Sequence, residues 1–142
     1  MTYLLDTCFI SEVVAKQPQK QVLDWLDRQP ADTLYLSVIT MGEIAKGVHK
    51  LPPSQRKTSL MQWLERDLPA QFLGRILEID TQTMLMWGEL VGHLEPQGRV
   101  LPVIDSLIAA IALRHSLVLV TRNVSDFAGT KVEIANPWLL PE

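Results

Sequence analysis

Four carboxylates stand where a chain of alternating strands and helices does its chemistry. Asp6 follows the apolar run Tyr3-Leu4-Leu5, and Asp126 lies beyond Leu117-Val118-Leu119-Val120, in Thr121-Arg122-Asn123-Val124-Ser125-Asp126. Glu43 and Asp105 sit near the starts of helical stretches. Ligands of open α/β sheets gather at the carboxyl ends of parallel strands, so residues just after apolar runs are the first candidates for a site. With few cations nearby in sequence, the four acids repel one another when brought together, and a divalent cation relieves that repulsion. Oxygen donors without a neighbouring histidine favour Mg²⁺ or Mn²⁺ over zinc.

Each acid also has an ordinary structural use. Asp6 suits a helix cap, Glu43 a first-turn acid complementing the helix dipole, and Asp126 a solvated turn. Asp105 fits such a use least, because it stands in an almost wholly apolar stretch where an unpaired carboxylate is costly, although a cap after Pro102 is open to it. Cys8, among Thr7, Phe9 and Ile10, reads as inert packing rather than a nucleophile. Trp63, Trp87 and the methionines around them read as core.

The elements that must position these acids alternate in type. Pro18 opens a helical segment with Val22, Leu23, Trp25 and Leu26 that ends by Pro30; residues 34–38 read as a strand. From Thr40, the residues Met41, Ile44, Gly47, Val48 and Leu51 recur at helical spacing, which puts Glu43 in the first turn. Helical spacing returns over 54–68 and 81–94, with strand patterns at 75–79 and 132–134. The stretch 103–113 has only Asp105 and Ser106 as polar members and predicts a helix buried nearly all round. The continuous apolar run 117–120 suits a central parallel strand covered on both faces. The whole pattern predicts one α/β domain over 1–142, a three-layer α/β/α sandwich around a mainly parallel central sheet.

Size and composition narrow the function classes. A chain of 142 residues with 47% hydrophobic and 20% charged residues has room for one globular core and none for a second domain. A single cysteine forbids an intrachain disulfide, and three scattered histidines argue against structural zinc. No apolar run approaches the ~20 residues that span a bilayer, and the N-terminus lacks a secretory pattern, so the expected location is cytoplasmic. A net charge of −3 counts mildly against nucleic-acid binding. With four of the sixteen carboxylates committed to one metal pocket, however, twelve remain to face thirteen Lys and Arg, and the sign of the rest reverses.

Four motifs occur in order: Leu4-Leu5-Asp6-Thr7-Cys8-Phe9-Ile10-Ser11-Glu12, Leu36-Ser37-Val38-Ile39-Thr40-Met41-Gly42-Glu43-Ile44-Ala45-Lys46-Gly47, Asp105-Ser106-Leu107-Ile108-Ala109-Ala110, and Thr121-Arg122-Asn123-Val124-Ser125-Asp126-Phe127. Together they resemble PIN-domain proteins, most closely the VapC- and FitB-like toxins of bacterial toxin–antitoxin pairs, over essentially the whole chain up to Asn136-Pro137-Trp138. The resemblance implies a PIN-like fold and an Mg²⁺-dependent endoribonuclease whose acidic quartet maps onto Asp6, Glu43, Asp105 and Asp126. On that mapping Asp6 and Asp105 are direct metal ligands, Glu43 is a ligand, positioner or general base, and Asp126 completes the shell or anchors a second ion. Thr121 and Asn123 would donate to the scissile phosphate, while Arg122, Lys46 and Lys50 would hold flanking phosphates. The resemblance also implies an antitoxin of the VapB or FitA kind, with a basic C-terminal segment that binds near Asp6, Glu43 and Asp105, and a homodimer. The apolar sets Met84, Trp87 and Leu90, or Met41 and Val48, are the faces offered for such contacts. Two positions depart from the family pattern: Cys8 stands where many members have Asn, and Asn123 is neutral where some relatives carry the last acid.

Rival chemistries need residues that this chain lacks. A phospho-accepting receiver domain needs an acidic pair after the first strand and a lysine after the last central one; here Asp6 is single and no lysine follows Val120. A haloacid-dehalogenase-type phosphatase needs a second Asp where Cys8 stands. A PIN scaffold that only binds RNA or a partner is the remaining alternative, and turnover discriminates it.

Overall fold

The computed structural model describes residues 1–139, so positions 140–142 of the expected domain lie outside the described residues. Five short strands form one parallel sheet in the order β3-β2-β1-β4-β5: β1 (Tyr3–Leu5), β2 (Leu34–Ser37), β3 (Ile76–Leu77), β4 (Val118–Val120) and β5 (Ile134–Ala135). The register sets Tyr3 opposite both Leu34 and Val118, and Leu5 opposite Val120. Successive strand side chains point to opposite faces, and the sheet therefore divides the core in two. Leu5, Leu36 and Val120 join Phe9, Trp25 and Trp138 on one side; Leu4 and Leu119 join Ile108, Ile111 and Phe127 on the other. The three-layer α/β/α expectation holds.

Helices α1 (Thr7–Val13), α2 (Lys20–Asp27), α3 (Val38–His49), α4 (Gln55–Gln62), α5 (Leu68–Gln71), α6 (Thr81–Leu94) and α7 (Val103–Arg114) supply the outer layers. Among the described residues no helix is long and apolar enough to cross a membrane. Helix α7 buries Ser106 and 108–112, but its first turn is open, with Val103 at 63% and Ile104 at 41% exposure. The expectation of burial nearly all round therefore fails at the end that carries Asp105. Ser106 fastens this turn to α6: its hydroxyl accepts from Trp87 Nε1 at 2.9 Å and donates to the Val103 carbonyl at 2.7 Å.

Several boundaries differ from the sequence reading for identifiable reasons. Strand β2 stops at Ser37, whose Oγ caps α3 by accepting from the Thr40 N–H at 3.2 Å, so the helix begins at Val38. Its first turn holds no acid, and Glu43 lies beyond it, too deep for the expected dipole role. The helix expected over 54–68 runs on to Gln71 through a π turn at Trp63–Asp67. Pro69, which has no N–H to give a regular ladder, lies just beyond that turn, after Leu68. Strand β3 keeps only Ile76–Leu77, and α2 only Lys20–Asp27. The last strand is Ile134–Ala135 rather than 132–134, because Lys131 turns through φ 65° and the Val132 N–H is taken by Thr130 Oγ1 at 3.3 Å.

Candidate active site

The strand order reverses between β1 and β4, and the crevice beyond their carboxyl ends is where an open parallel sheet binds ligands. Asp6 leaves β1 and Thr121 leaves β4 side by side at this point. The Asp6 N–H donates to the Val120 carbonyl at 3.0 Å, and the Thr121 N–H to the Ala135 carbonyl at 3.1 Å. Asp6 is the N-cap of α1, as its local sequence suggests, but a cap uses only one of its oxygens. Oδ1 accepts from the Thr7 N–H at 2.8 Å, while Oδ2 accepts from Thr121 Oγ1, also at 2.8 Å. At 5% exposure this carboxylate is buried, and burial raises its pKa above the ordinary 3.8. The bonds from Thr121 and Thr7 oppose that rise, and the Glu43 carboxylate adds to it.

Glu43 reaches the same place from α3. Its Oε1 accepts from Thr7 Oγ1 at 2.6 Å, and Thr7 Oγ1 lies 3.0 Å from Thr40 Oγ1. Asp105 enters from the first turn of α7. Its pKa is also raised, first by burial and then by the Asp6, Asp126 and Glu43 carboxylates, so all four acids act within one electrostatic field. Asp126 stands exposed on the single 3₁₀ turn Val124–Phe127 that follows β4 and packs against α7. Among the described residues no salt bridge neutralises any of the four; the ion pair formed there joins Lys20 to Asp24 at 2.7 Å. Nor do three acid, His or Cys side chains among the described residues converge closely enough to chelate an ion directly as they stand. The acids thus share a negative field that no salt bridge among the described residues offsets.

The expected phosphate contacts divide. Thr121 is fully buried, with its hydroxyl donating to Asp6 and accepting from the Asn123 N–H at 3.1 Å. It holds Asp6 rather than offering a free donor to a phosphate, which corrects the sequence reading. Asn123 is exposed beside it. Arg122 is exposed, but its guanidinium carbon lies 5.6 Å from the centre of the Trp138 ring, a cation–π arrangement. Lys46 and Lys50 are exposed on the last turn and cap of α3, the same helix as Glu43.

Cys8 is more than packing. Its Sγ lies 3.8 Å from Asp6 Oδ2 and 3.4 Å from Thr121 Oγ1, and accepts from the Arg122 N–H at 3.5 Å. Burial pushes the thiol pKa up, with the Asp6 charge adding to the rise, so Cys8 stays protonated and is no nucleophile. The residues that sequence reasoning passed over are hydroxyls: Ser37 and Thr40 beneath Glu43, and Thr7 as partner of Glu43. Their one sequence signal is position, since Ser37 and Thr7 each stand at a strand-to-helix junction.

A PIN domain family model matches residues 3–131. The chain is 35% identical to the VapC ribonuclease Y4jK of Sinorhizobium fredii, across 95% of this chain and 96% of the relative. It is 36% identical to the Toxin FitB of Neisseria gonorrhoeae, across 95% and 97%. Among solved structures, FitAcB from Neisseria gonorrhoeae superposes with a TM-score of 0.93 at 35% identity, covering 98% of this chain and all of that one. With a family model spanning nearly its whole length, and relatives of the VapC and FitB kinds matched end to end, the chain belongs to the PIN domain family.

Proposed function

We propose that this chain is an Mg²⁺-dependent endoribonuclease and the toxin half of a toxin–antitoxin pair. The observation that carries the reading is the shared field of Asp6, Glu43, Asp105 and Asp126 at the switch point of the sheet, without a cation paired to any of them among the described residues. The names of the relatives, a VapC ribonuclease and a toxin, support the activity and the biological class. The donor set is all oxygen, the chemistry that suits Mg²⁺, an ion that keeps several of its waters. Asp6 and Asp105 would hold it directly, with Glu43 and Asp126 acting through water. Such an ion supplies Lewis acidity, offsetting charge on the phosphodiester as it develops.

The chain's own groups do the rest. Two donors fix the Asp6 carboxylate before any ligand arrives, so little reorganisation is left for the reaction. Glu43 accepts the proton of the attacking water. Asn123, exposed beside Thr121, and Lys46 and Lys50 on α3 are the groups in reach of RNA phosphates. The same negative pocket receives the antitoxin: an Arg or Lys from a basic C-terminal segment bridges carboxylates that otherwise hold the ion. For a homodimer face, Leu90 and Val48 drop out because both are buried; Met84 remains, at 40% exposure. The deciding experiment is cleavage of total RNA by purified wild type and Asp105→Asn with and without Mg²⁺. Ion-dependent cutting by the wild type alone is expected, and equal cutting by both proteins refutes the assignment.

A further inference from the structure

We propose that Thr7 is a positioning residue whose backbone N–H and side-chain hydroxyl together set the spacing of Asp6 and Glu43. The inference rests on the nuclease reading and concerns how its two innermost acids are held. One residue serves both: the Thr7 N–H donates to Asp6 Oδ1 at 2.8 Å and its Oγ1 donates to Glu43 Oε1 at 2.6 Å.

The direction of this arrangement follows from proton counting. A hydroxyl has one proton to give. The Thr7 proton goes to the Glu43 carboxylate, an acceptor-only group and the shortest of its contacts, so toward Thr40 the Thr7 oxygen is the acceptor. Thr40 then spends its proton on Thr7 at 3.0 Å and accepts from Ser37 Oγ at 3.5 Å. The hydroxyls of Ser37, Thr40 and Thr7 therefore form a one-way relay that ends on Glu43, and each bond polarises the next. Ser37 and Thr40 are both 1% exposed, so water does not compete for them. The relay ties the start of α3 to the β1–α1 junction. Two carboxylates that repel each other are thereby held at one separation in the protein before an ion binds.

The test uses Thr7→Val, which keeps the β-branched shape and the backbone donor but removes the hydroxyl, together with Thr7→Ser, which restores it. Mn²⁺ affinity is measured by titration calorimetry on full-length protein, alongside kcat and KM for RNA cleavage. For Thr7→Val, Mn²⁺ affinity and kcat are each expected to fall roughly 10–100-fold, the scale for outer-sphere partners of metal ligands, with KM little changed. Thr7→Ser should recover most of both losses, and Thr40→Val should lose less than Thr7→Val. Wild-type Mn²⁺ affinity in Thr7→Val overturns the inference, as does equal damage in Thr7→Ser, which would assign the effect to packing of the methyl group. Should Thr7→Val fail to fold, unchanged Mn²⁺ affinity in Thr7→Ala overturns it instead. Wild-type protein that binds no Mn²⁺ overturns this inference and the nuclease reading together; binding that is equal in wild type and Thr7→Val overturns this inference alone.

Discussion

Removing the Thr121 hydroxyl should cost stability in a way that depends on the charge of Asp6. Thr121→Val is nearly isosteric at a fully buried position; it removes the 2.8 Å bond to Asp6 Oδ2 and also the acceptor of the Asn123 N–H at 3.1 Å, and only the first loss depends on the charge of Asp6. A hydrogen bond to a charged group contributes about 1.5–3 kcal/mol, against about 1 kcal/mol for a neutral pair. Only the Cys8 thiol, 3.8 Å away, remains to serve Oδ2, and a thiol is a weak donor. A loss of about 2 kcal/mol near neutral pH follows, visible as a fall of about 1 M in the urea midpoint. The sign with pH is fixed by linkage. The Thr121 bond lowers the Asp6 pKa, so its removal raises an already raised value further. The added penalty therefore grows as pH climbs from the wild-type Asp6 pKa to the variant's, and stays level above that. Below the ordinary value of 3.8 both proteins carry a neutral Asp6, and the difference shrinks to the worth of a neutral bond. Urea denaturation across this range measures it. A penalty of the same size at all pH values would mean that Thr121 matters through packing and not through the Asp6 charge.

Other outcomes follow from the same geometry. Asp105→Asn should abolish RNA cleavage while stabilising the metal-free fold by about 1 kcal/mol, since one member of a repelling, partly solvent-screened set is gone; thermal melts without metal check the sign. In the wild type, Asp6 and Asp105 both bind protons more tightly than an ordinary Asp, so metal-free stability should fall as pH rises from 3.8 through their raised pKa values, and Asp105→Asn should flatten that slope. Asp126→Asn should weaken Mn²⁺ binding in calorimetry, whereas Asn123→Ala should raise the KM for RNA with little effect on the ion. Trp138→Ala should destabilise the fold by about 3–5 kcal/mol in urea melts, because the ring packs edge-on against Phe9 and its Nε1 donates to Glu12 at 3.0 Å.

What the sequence made legible was whatever burial alone decides. The run 117–120 announced a central strand because every residue in it is covered on both faces, and β4 lies between β1 and β5. Asp6 was legible for the same reason, as a charge placed directly after such a strand. Glu43 was placed in the wrong turn because Val38 and Ile39 look like a strand continuing, and the pattern gives no sign that Ser37 has turned its hydroxyl to Thr40 and started the helix. Thr121 was assigned the wrong partner on equally local grounds. A hydroxyl after a strand can face a ligand or face back into the protein, and the choice depended on the register of β4 with β1, a contact between residues far apart in sequence. The sequence reads Cys8 as packing and leaves Thr40 without a role, because the Cys8 contact with Thr121 and the Thr40 contact with Thr7 exist only in the folded chain.

Stability and function pull in opposite directions at this site, and the hydroxyls around it explain how the fold tolerates both. Burial gathers like charges and raises the pKa of Asp6 and of Asp105, which works against folding at neutral pH. An apolar replacement would relieve that cost and leave nothing to attract a cation. The chain keeps the charges and surrounds the most buried one with donors fixed by backbone register: the Thr7 N–H through the start of α1, and the Thr121 hydroxyl through the pairing of β4 with β1. Donors anchored in this way need no rearrangement when a ligand enters, so what limits the destabilisation of the empty site also fixes the carboxylate for binding. Asp105 and Asp126, which lie nearer solvent, leave the remaining repulsion for water, a metal ion or a cationic partner side chain to compensate. Their exposure is therefore what makes the negative field available to all three.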